Sequence, residues 1–138
     1  MGLRVLVCSD VHFAWDEMLK RVLWDIHRMD GIEWIIHTNE KGAAKMAGQW
    51  ALDNGVSTMT FKAEVYGHPD NWETVRNRAI FEEGEPDLVV AFPGEENLVA
   101  VANVEGVLVY EPFTNYAKWR QFKQVFDSKK KEEEEETS

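Results

Sequence analysis

The sequence has one cysteine, no long apolar run and few basic residues, and each shortage excludes a class of protein. Because Cys8 has no second cysteine to pair with, an intramolecular disulfide framework and a cysteine-rich zinc site are both excluded. No stretch approaches the roughly 18 apolar residues that a membrane helix requires. Only four apolar residues follow Arg4, too few for the core of a signal peptide. We therefore expect a cytoplasmic protein with no membrane partner.

The shortage of positive charge bears on the partners of the protein. Fifteen basic residues stand against 25 acidic ones, which gives a formal net charge of −10. Such a surface repels phosphate backbones, so we expect no nucleic-acid partner. A small anionic ligand held by backbone N–H groups and one or two arginines stays compatible with this charge. Residues 129–138 (KKKEEEEETS) predict a charged, disordered tail.

Apolar runs and helical periodicities alternate along the chain, which at 138 residues and 44% hydrophobic content has the length of one domain with a real core. Strands are predicted at 3–8, 34–37, 56–61, 87–92 and 107–110, with helices between them. This alternation predicts an α/β fold, a Rossmann-like three-layer sandwich with a parallel sheet of about five strands. We expect one domain over residues 1–128, including a C-terminal helix at about 114–128. The apolar face of that helix would pack on the sheet or on a partner.

One motif points to a metal-dependent phosphoesterase. Residues 5–12 (VLVCSDVH) resemble the opening of calcineurin-like metallophosphoesterases, a strand followed by Asp-x-His, which places ligands around two metals. The later ligand motifs of that family are missing, apart from the Gly67-His68 pair. Asp10 and His12 could instead be polar loop residues, with Asp10 capping the first helical region. We expect no bound metal and no cofactor.

Three blocks resemble small SLOG-superfamily proteins of the YspA-like family. Residues 37–51 (HTNEKGAAKMAGQWA) are similar to the family segment HGGARGADRLAAEWA. Residues 75–78 (VRNR) resemble its IRNQ or IRNR, and residues 87–94 (DLVVAFPG) resemble its DLVLAFPGG. Residues 4–7 (RVLV) match the family's opening strand. The resemblance covers residues 3 to about 110 and implies a Rossmann-like fold that binds nucleotides or nucleotide-derived ligands.

The chain departs from the family pattern where that pattern binds phosphate. The first loop has Ser9 and Asp10 in place of Gly and Ser, and the second loop has Thr38 and Asn39 in place of two glycines. The third loop reads PGEENL over residues 93–98 instead of PGGxGT, and its two glutamates would repel a phosphate. In the related cytokinin-activating phosphoribohydrolases a glutamate stands at the position of Val101.

The candidate ligand-binding residues lie at the carboxyl ends of strands one, two and four or belong to the family-like motifs. They are Ser9, Asp10, Gly42, Arg76, Asn77, Pro93 and Gly94. Each residue also has a purely structural alternative. Gly42 could simply allow tight packing of strand and helix, and Arg76 could form an ion pair with Glu73 or Glu82. Asn77 could simply form hydrogen bonds with the loop backbone. No catalytic residue is predicted, because no nucleophile–base pair is visible.

Two function classes follow. The first is a non-enzymatic module that binds, senses or sequesters a nucleotide-derived small molecule, or that uses the same face for a protein partner; a homodimer is compatible with it. Such a protein would suit a phage or mobile-element accessory role. The second is a nucleotide-processing enzyme, an N-glycosidic or phosphoester hydrolase, which includes the metallophosphoesterase interpretation of Asp10 and His12. We favour the first because no intact phosphate loop is present.

Overall fold

Strands and helices alternate strictly in the computed structural model, which describes residues 2–62 and 71–112. Five strands and four helices occur in these two segments. In chain order they are β1 (Leu3–Cys8), α1 (Asp16–Asp30), β2 (Ile32–His37), α2 (Ala43–Asp53), β3 (Ser57–Thr60), α3 (Trp72–Gly84), β4 (Leu88–Ala91), α4 (Glu96–Glu105) and β5 (Leu108–Tyr110).

All strand pairs are parallel, and the strands stand in the order β3-β2-β1-β4-β5. β1 is central: its Val5 is in register with Ile35 of β2 on one side and with Leu88 of β4 on the other. The predicted Rossmann-like α/β architecture with a five-stranded parallel sheet is therefore confirmed.

The two faces of the sheet carry separate apolar layers because strand side chains alternate between faces. Val5 and Val7 pack with α1 and α2, whereas Leu6 and Cys8 pack with α3 and α4. β1 is buried on both faces, as expected for the centre of a covered parallel sheet. The helices thus form the outer layers of a three-layer sandwich, and the loops that leave the strands gather at one edge.

Six of the ten predicted strand ends differ from the observed ones, each by one or two residues. β2 begins at Ile32 rather than Trp34, because Ile32 pairs with Leu3 and is buried while the exposed Glu33 interrupts the apolar pattern. β4 begins at Leu88 rather than Asp87, whose carboxylate instead accepts the Arg4 backbone N–H at 2.8 Å.

Several predictions fall outside the described residues. These are the C-terminal helix at 114–128, the charged tail at 129–138 and the Gly67-His68 pair. Within the two described segments, no helix has the length and apolar character that crossing a membrane would require.

Candidate functional site

The strand order reverses at β1, and this reversal creates the crevice expected of an open parallel sheet. β2 and β4 flank β1, and the chain leaves them toward opposite faces. The loops after β1 and β4 are hydrogen-bonded directly to each other, since the Asp10 N–H donates to the Pro93 carbonyl at 3.0 Å. Predicted site residues from two distant stretches of chain therefore meet at this edge.

The loop after β1 also holds the start of α2. The Ser9 hydroxyl accepts the Ala43 N–H at 2.9 Å, and its Oγ lies 2.7 Å from the Asp10 carbonyl, to which the hydroxyl donates. Gly42 adopts φ 109° and ψ −148°, a region that is essentially confined to glycine. A Cβ on Gly42 would lie 2.6 Å from the Asp10 carbonyl oxygen. Of the two roles considered for Gly42, the contacts show the tight packing of loop against helix.

Gly94 makes the corresponding close approach from the loop after β4. Its φ is 104°, and an added Cβ would lie 2.1 Å from the Asp10 Cβ. Asp10 itself is a turn residue: Oδ1 accepts the His12 N–H, and the backbone carbonyl accepts the Phe13 N–H at 3.2 Å. Asp10 is therefore packed between two glycine-bearing loops.

The metal-site interpretation of Asp10 and His12 has little local support. One Asp10 carboxylate oxygen is engaged by the backbone of His12. Across residues 2–62 and 71–112, no group of three or more His, Cys, Asp or Glu side chains is placed to hold a metal ion. The absence of a metal stays a prediction, since His68 lies outside the described residues.

Arg76 and Asn77 form a buried polar cluster on α3. Arg76 is 2% exposed and Asn77 is 4% exposed. The Arg76 Nε and Nη2 donate to Asn77 Oδ1 at 3.2 and 3.0 Å, and its Nη1 donates to the Glu40 carboxylate in the loop after β2. The guanidinium also lies 5.0 Å from the centroid of the Trp72 ring. The carboxylate that pairs with Arg76 is thus Glu40, and not Glu73 or Glu82, which the structural alternative named.

The carboxylate of Glu95 stands at the start of α4, close to this cluster. It accepts the Leu98 N–H at 3.4 Å and so caps its own helix. Burial raises the pKa of Glu95, and the negative charges of Glu73 and Glu40 raise it further. The Leu98 hydrogen bond and the positive charge of Arg76 act in the opposite direction. Glu95 is therefore coupled electrostatically to two other carboxylates and to the guanidinium of Arg76.

A cleft of about 470 Å³ lies between α3 and α4; we call it the α3/α4 cleft, and of the predicted site residues only Asn77 lines it. Trp72, Glu73 and Asn77 line it from α3, and Asn97 and Val101 line it from α4. The Asn97 Nδ2 donates to the Glu73 carboxylate at 3.0 Å, which joins the two walls. The α3/α4 cleft therefore offers an aromatic ring, amides and a carboxylate to a ligand.

Asn77 has an unused donor at this cleft. Because Arg76 can only donate, the atom that accepts its two hydrogen bonds must be Oδ1, which assigns the amide orientation. The remaining Nδ2 has no hydrogen-bond partner among residues 2–62 and 71–112. A buried donor without a partner is costly, and a ligand acceptor would satisfy it.

Two further titratable side chains near the strand ends are poor catalysts. Burial raises the pKa of the Cys8 thiol, and the charges of Glu95 and Glu111 add to this effect, so the thiol stays protonated. His37 is 5% exposed; its Nδ1 accepts the Asn39 N–H at 3.0 Å, and its Nε2 lies 3.2 Å from Thr60 Oγ1. Burial, with Lys62 nearby, lowers the pKa of His37, which favours the neutral ring.

Residues 3–68 match the model of the YspA, cpYpsA-related SLOG family. This match supports assigning residues 3–68 to the YspA-related SLOG family. The SLOG segment runs from β1 past the end of β3 and makes up just under half of the chain. Membership suggests a nucleotide-related binding or processing role. No curated protein and no solved structure matches the chain.

The family match covers residues 3–68, whereas the residues that line the α3/α4 cleft all lie beyond this segment. The block at 37–51 lies inside the SLOG segment, whereas those at 75–78 and 87–94 lie beyond it, so their family resemblance stays a prediction. Sequence reasoning missed Glu40, the partner of Arg76. The available signal was the residue at this position. The family segment has alanine there, whereas this chain has a carboxylate two residues before the motif glycine, and such a carboxylate favours a cationic partner.

Proposed function

We propose that the protein is a non-enzymatic module that binds a nucleotide-derived small molecule in the α3/α4 cleft. The observation that carries this proposal is Asn77, a buried residue that lines the cleft and whose Nδ2 has no hydrogen-bond partner among the described residues. The edge of a nucleobase presents acceptors that suit such an amide donor. The family match adds the expectation of a nucleotide-related ligand.

The aromatic and amide groups of the cleft support recognition of a base. Trp72 is half-buried and lines the cleft, so its ring is available for contact with a planar ligand. Stacking of a base on an aromatic side chain contributes about 1–3 kcal/mol. The cleft volume of about 470 Å³ falls within the range of small-molecule sites.

A binding role is favoured over catalysis because Cys8 and His37, the reactive side chains at the strand ends, are buried and do not line the α3/α4 cleft. The Cys8 thiol is buried and protonated, and both nitrogens of His37 are occupied. Val101, at the position of the phosphoribohydrolase glutamate, lines the cleft with an apolar side chain. We further propose a cytoplasmic location and no nucleic-acid partner; a protein partner or a homodimer would use the same edge of the sheet.

The substitution Asn77→Asp tests the proposal because it replaces the Nδ2 donor by an oxygen that accepts hydrogen bonds and carries negative charge. The aspartate keeps an acceptor for Arg76 but removes the donor. We expect a calorimetric screen of nucleobases, nucleosides and nucleotides to find a binder, and Asn77→Asp to weaken that binding at least tenfold. The control Asn103→Asp, on the exposed side of α4, should bind like the wild type.

Two readouts decide the outcome. A compound present at 100 times its dissociation constant should stabilise the protein by about 2.7 kcal/mol in thermal denaturation. If Asn77→Asp and Asn103→Asp bind equally well, the cleft is not the site. Conversion of the bound compound during incubation, detected by chromatography, would overturn the non-enzymatic assignment.

A further inference from the structure

Two helix starts at this edge, those of α4 and α2, are already capped by side chains of the protein. A helix N-terminus attracts anions through its free N–H groups and its dipole. At α4 the Glu95 carboxylate takes the Leu98 N–H, and at α2 the Ser9 hydroxyl takes the Ala43 N–H. A phosphate at α4 would have to displace an existing negative charge.

The guanidinium of Arg76 is engaged in the same way. It is 2% exposed, its Nη1 donates to Glu40, and its Nε and Nη2 donate to Asn77 Oδ1. A phosphate would compete with the Glu40 carboxylate for this cation, whose positive charge Glu40 already compensates.

Among the described residues, the charges coupled to Glu95 are negative in sum. Glu73, which lines the α3/α4 cleft, and Glu40 add negative charge to that of Glu95, and Arg76 adds one positive charge. Low-dielectric surroundings strengthen such effects, so a further dianion would be repelled. Asn77 points to a ligand independently of these charges, because its Nδ2 donor has no partner among the described residues. An uncharged acceptor would satisfy this donor as well as an anion would.

We propose that the α3/α4 cleft selects unphosphorylated nucleosides or nucleobases and that the Glu95 carboxylate excludes their 5′-monophosphates. This inference rests on the proposed binding function and specifies its ligand class. Asn77 and Trp72 would recognise the base, while Glu95 occupies the place where the helix start could receive a phosphate. The glutamate therefore acts as a built-in anion that sets specificity.

The test compares matched pairs of compounds. Adenosine, guanosine, cytidine and uridine are titrated calorimetrically beside their 5′-monophosphates. For the nucleoside that binds, we expect at least tenfold tighter binding than for its monophosphate. Raising the ionic strength should reduce this ratio, because screening weakens charge repulsion but not steric exclusion.

The variant Glu95→Gln isolates the charge. The glutamine can still accept the Leu98 N–H, so the helix cap is kept. We expect the preference for the nucleoside to shrink at least threefold through tighter binding of the monophosphate. Glu105→Gln, an exposed change on the same helix, should leave the ratio unaltered.

The outcomes separate this inference from the function on which it rests. If a monophosphate binds at least as tightly as its nucleoside, the specificity inference is wrong and the binding function stands. An unchanged ratio in a folded Glu95→Gln variant also removes Glu95 from its assigned role. If no nucleobase, nucleoside or nucleotide binds, the proposed function fails and this inference fails with it.

Discussion

Replacing Arg76 by alanine should destabilise the protein strongly, although arginine is ordinarily a surface residue. Its side chain is 2% exposed and makes hydrogen bonds to Glu40 and Asn77. The substitution leaves the Asn77 Oδ1, in a residue that is 4% exposed, without the donors that now satisfy it. The loss therefore falls on a buried acceptor as well as on an ion pair.

The magnitude follows from these separate contributions. A buried acceptor left unpaired costs about 1–3 kcal/mol. The Glu40 side chain is 38% exposed and regains water, so the ion pair itself adds less than about 1 kcal/mol. The contact between Arg76 and Trp72 contributes about 0.5–1 kcal/mol. We expect a total loss of about 3 kcal/mol, before any cost of the cavity.

Equilibrium denaturation in urea measures this loss directly as a change in the free energy of unfolding. Arg78→Ala is the matched control, because Arg78 is exposed on the same helix and should change stability by less than about 0.5 kcal/mol. Arg76→Met restores most of the volume without the donors and should recover only part of the loss. If Arg76→Ala and Arg78→Ala are equally stable, the buried cluster does not contribute as described.

Three further predictions concern the loops at the same edge. Gly42→Ala should lower the free energy of unfolding by at least about 2 kcal/mol, because it adds backbone strain and a close contact. The loss should exceed that of Gly55→Ala, since φ of Gly55 is also positive but its Cβ would meet nothing within 4 Å. Equal losses in denaturation would refute the contact argument. Ser9→Ala should cost about 0.5–2 kcal/mol by removing the cap of α2, and an unchanged melting temperature would contradict this. Glu95→Gln should stabilise the protein at neutral pH. Folding raises the pKa of Glu95, so the ionised carboxylate lowers the stability of the protein as the pH rises from the unfolded-state pKa to the folded-state pKa. That gain should vanish below the unfolded pKa of glutamate, and a gain that persists in acid would refute the electrostatic cause.

Much of the fold could be predicted because each buried strand is a short apolar run between helical segments. β1 was predicted at its observed ends, Leu3 and Cys8, since it is buried on both faces and reads as continuously apolar. β2 was predicted two residues short, because its exposed Glu33 breaks the run and only pairing with β1 reveals its start.

The contacts of the candidate site were less predictable because they depend on distant pairs. The sequence suggested partners for Arg76 on its own helix, where residues at helical spacing are close. The observed partner, Glu40, lies 36 residues away in the loop after β2. The close approach of Gly94 to Asp10 likewise depends on the parallel pairing of β1 with β4, which fixes how their loops meet.

The glycines at this edge determine how the loops pack, whereas the charged side chains determine its electrostatics. Gly42 and Gly94 both pack against Asp10, one on its carbonyl and the other on its Cβ, so loop packing is sufficient reason for a glycine at each position. Glu40 and Glu95, by contrast, carry negative charge that is coupled to Arg76. A change at such positions alters the electrostatics without disturbing the backbone that the glycines fix. The ligand class must therefore be inferred from the side chains around the α3/α4 cleft, and a glycine motif alone is no evidence for phosphate binding.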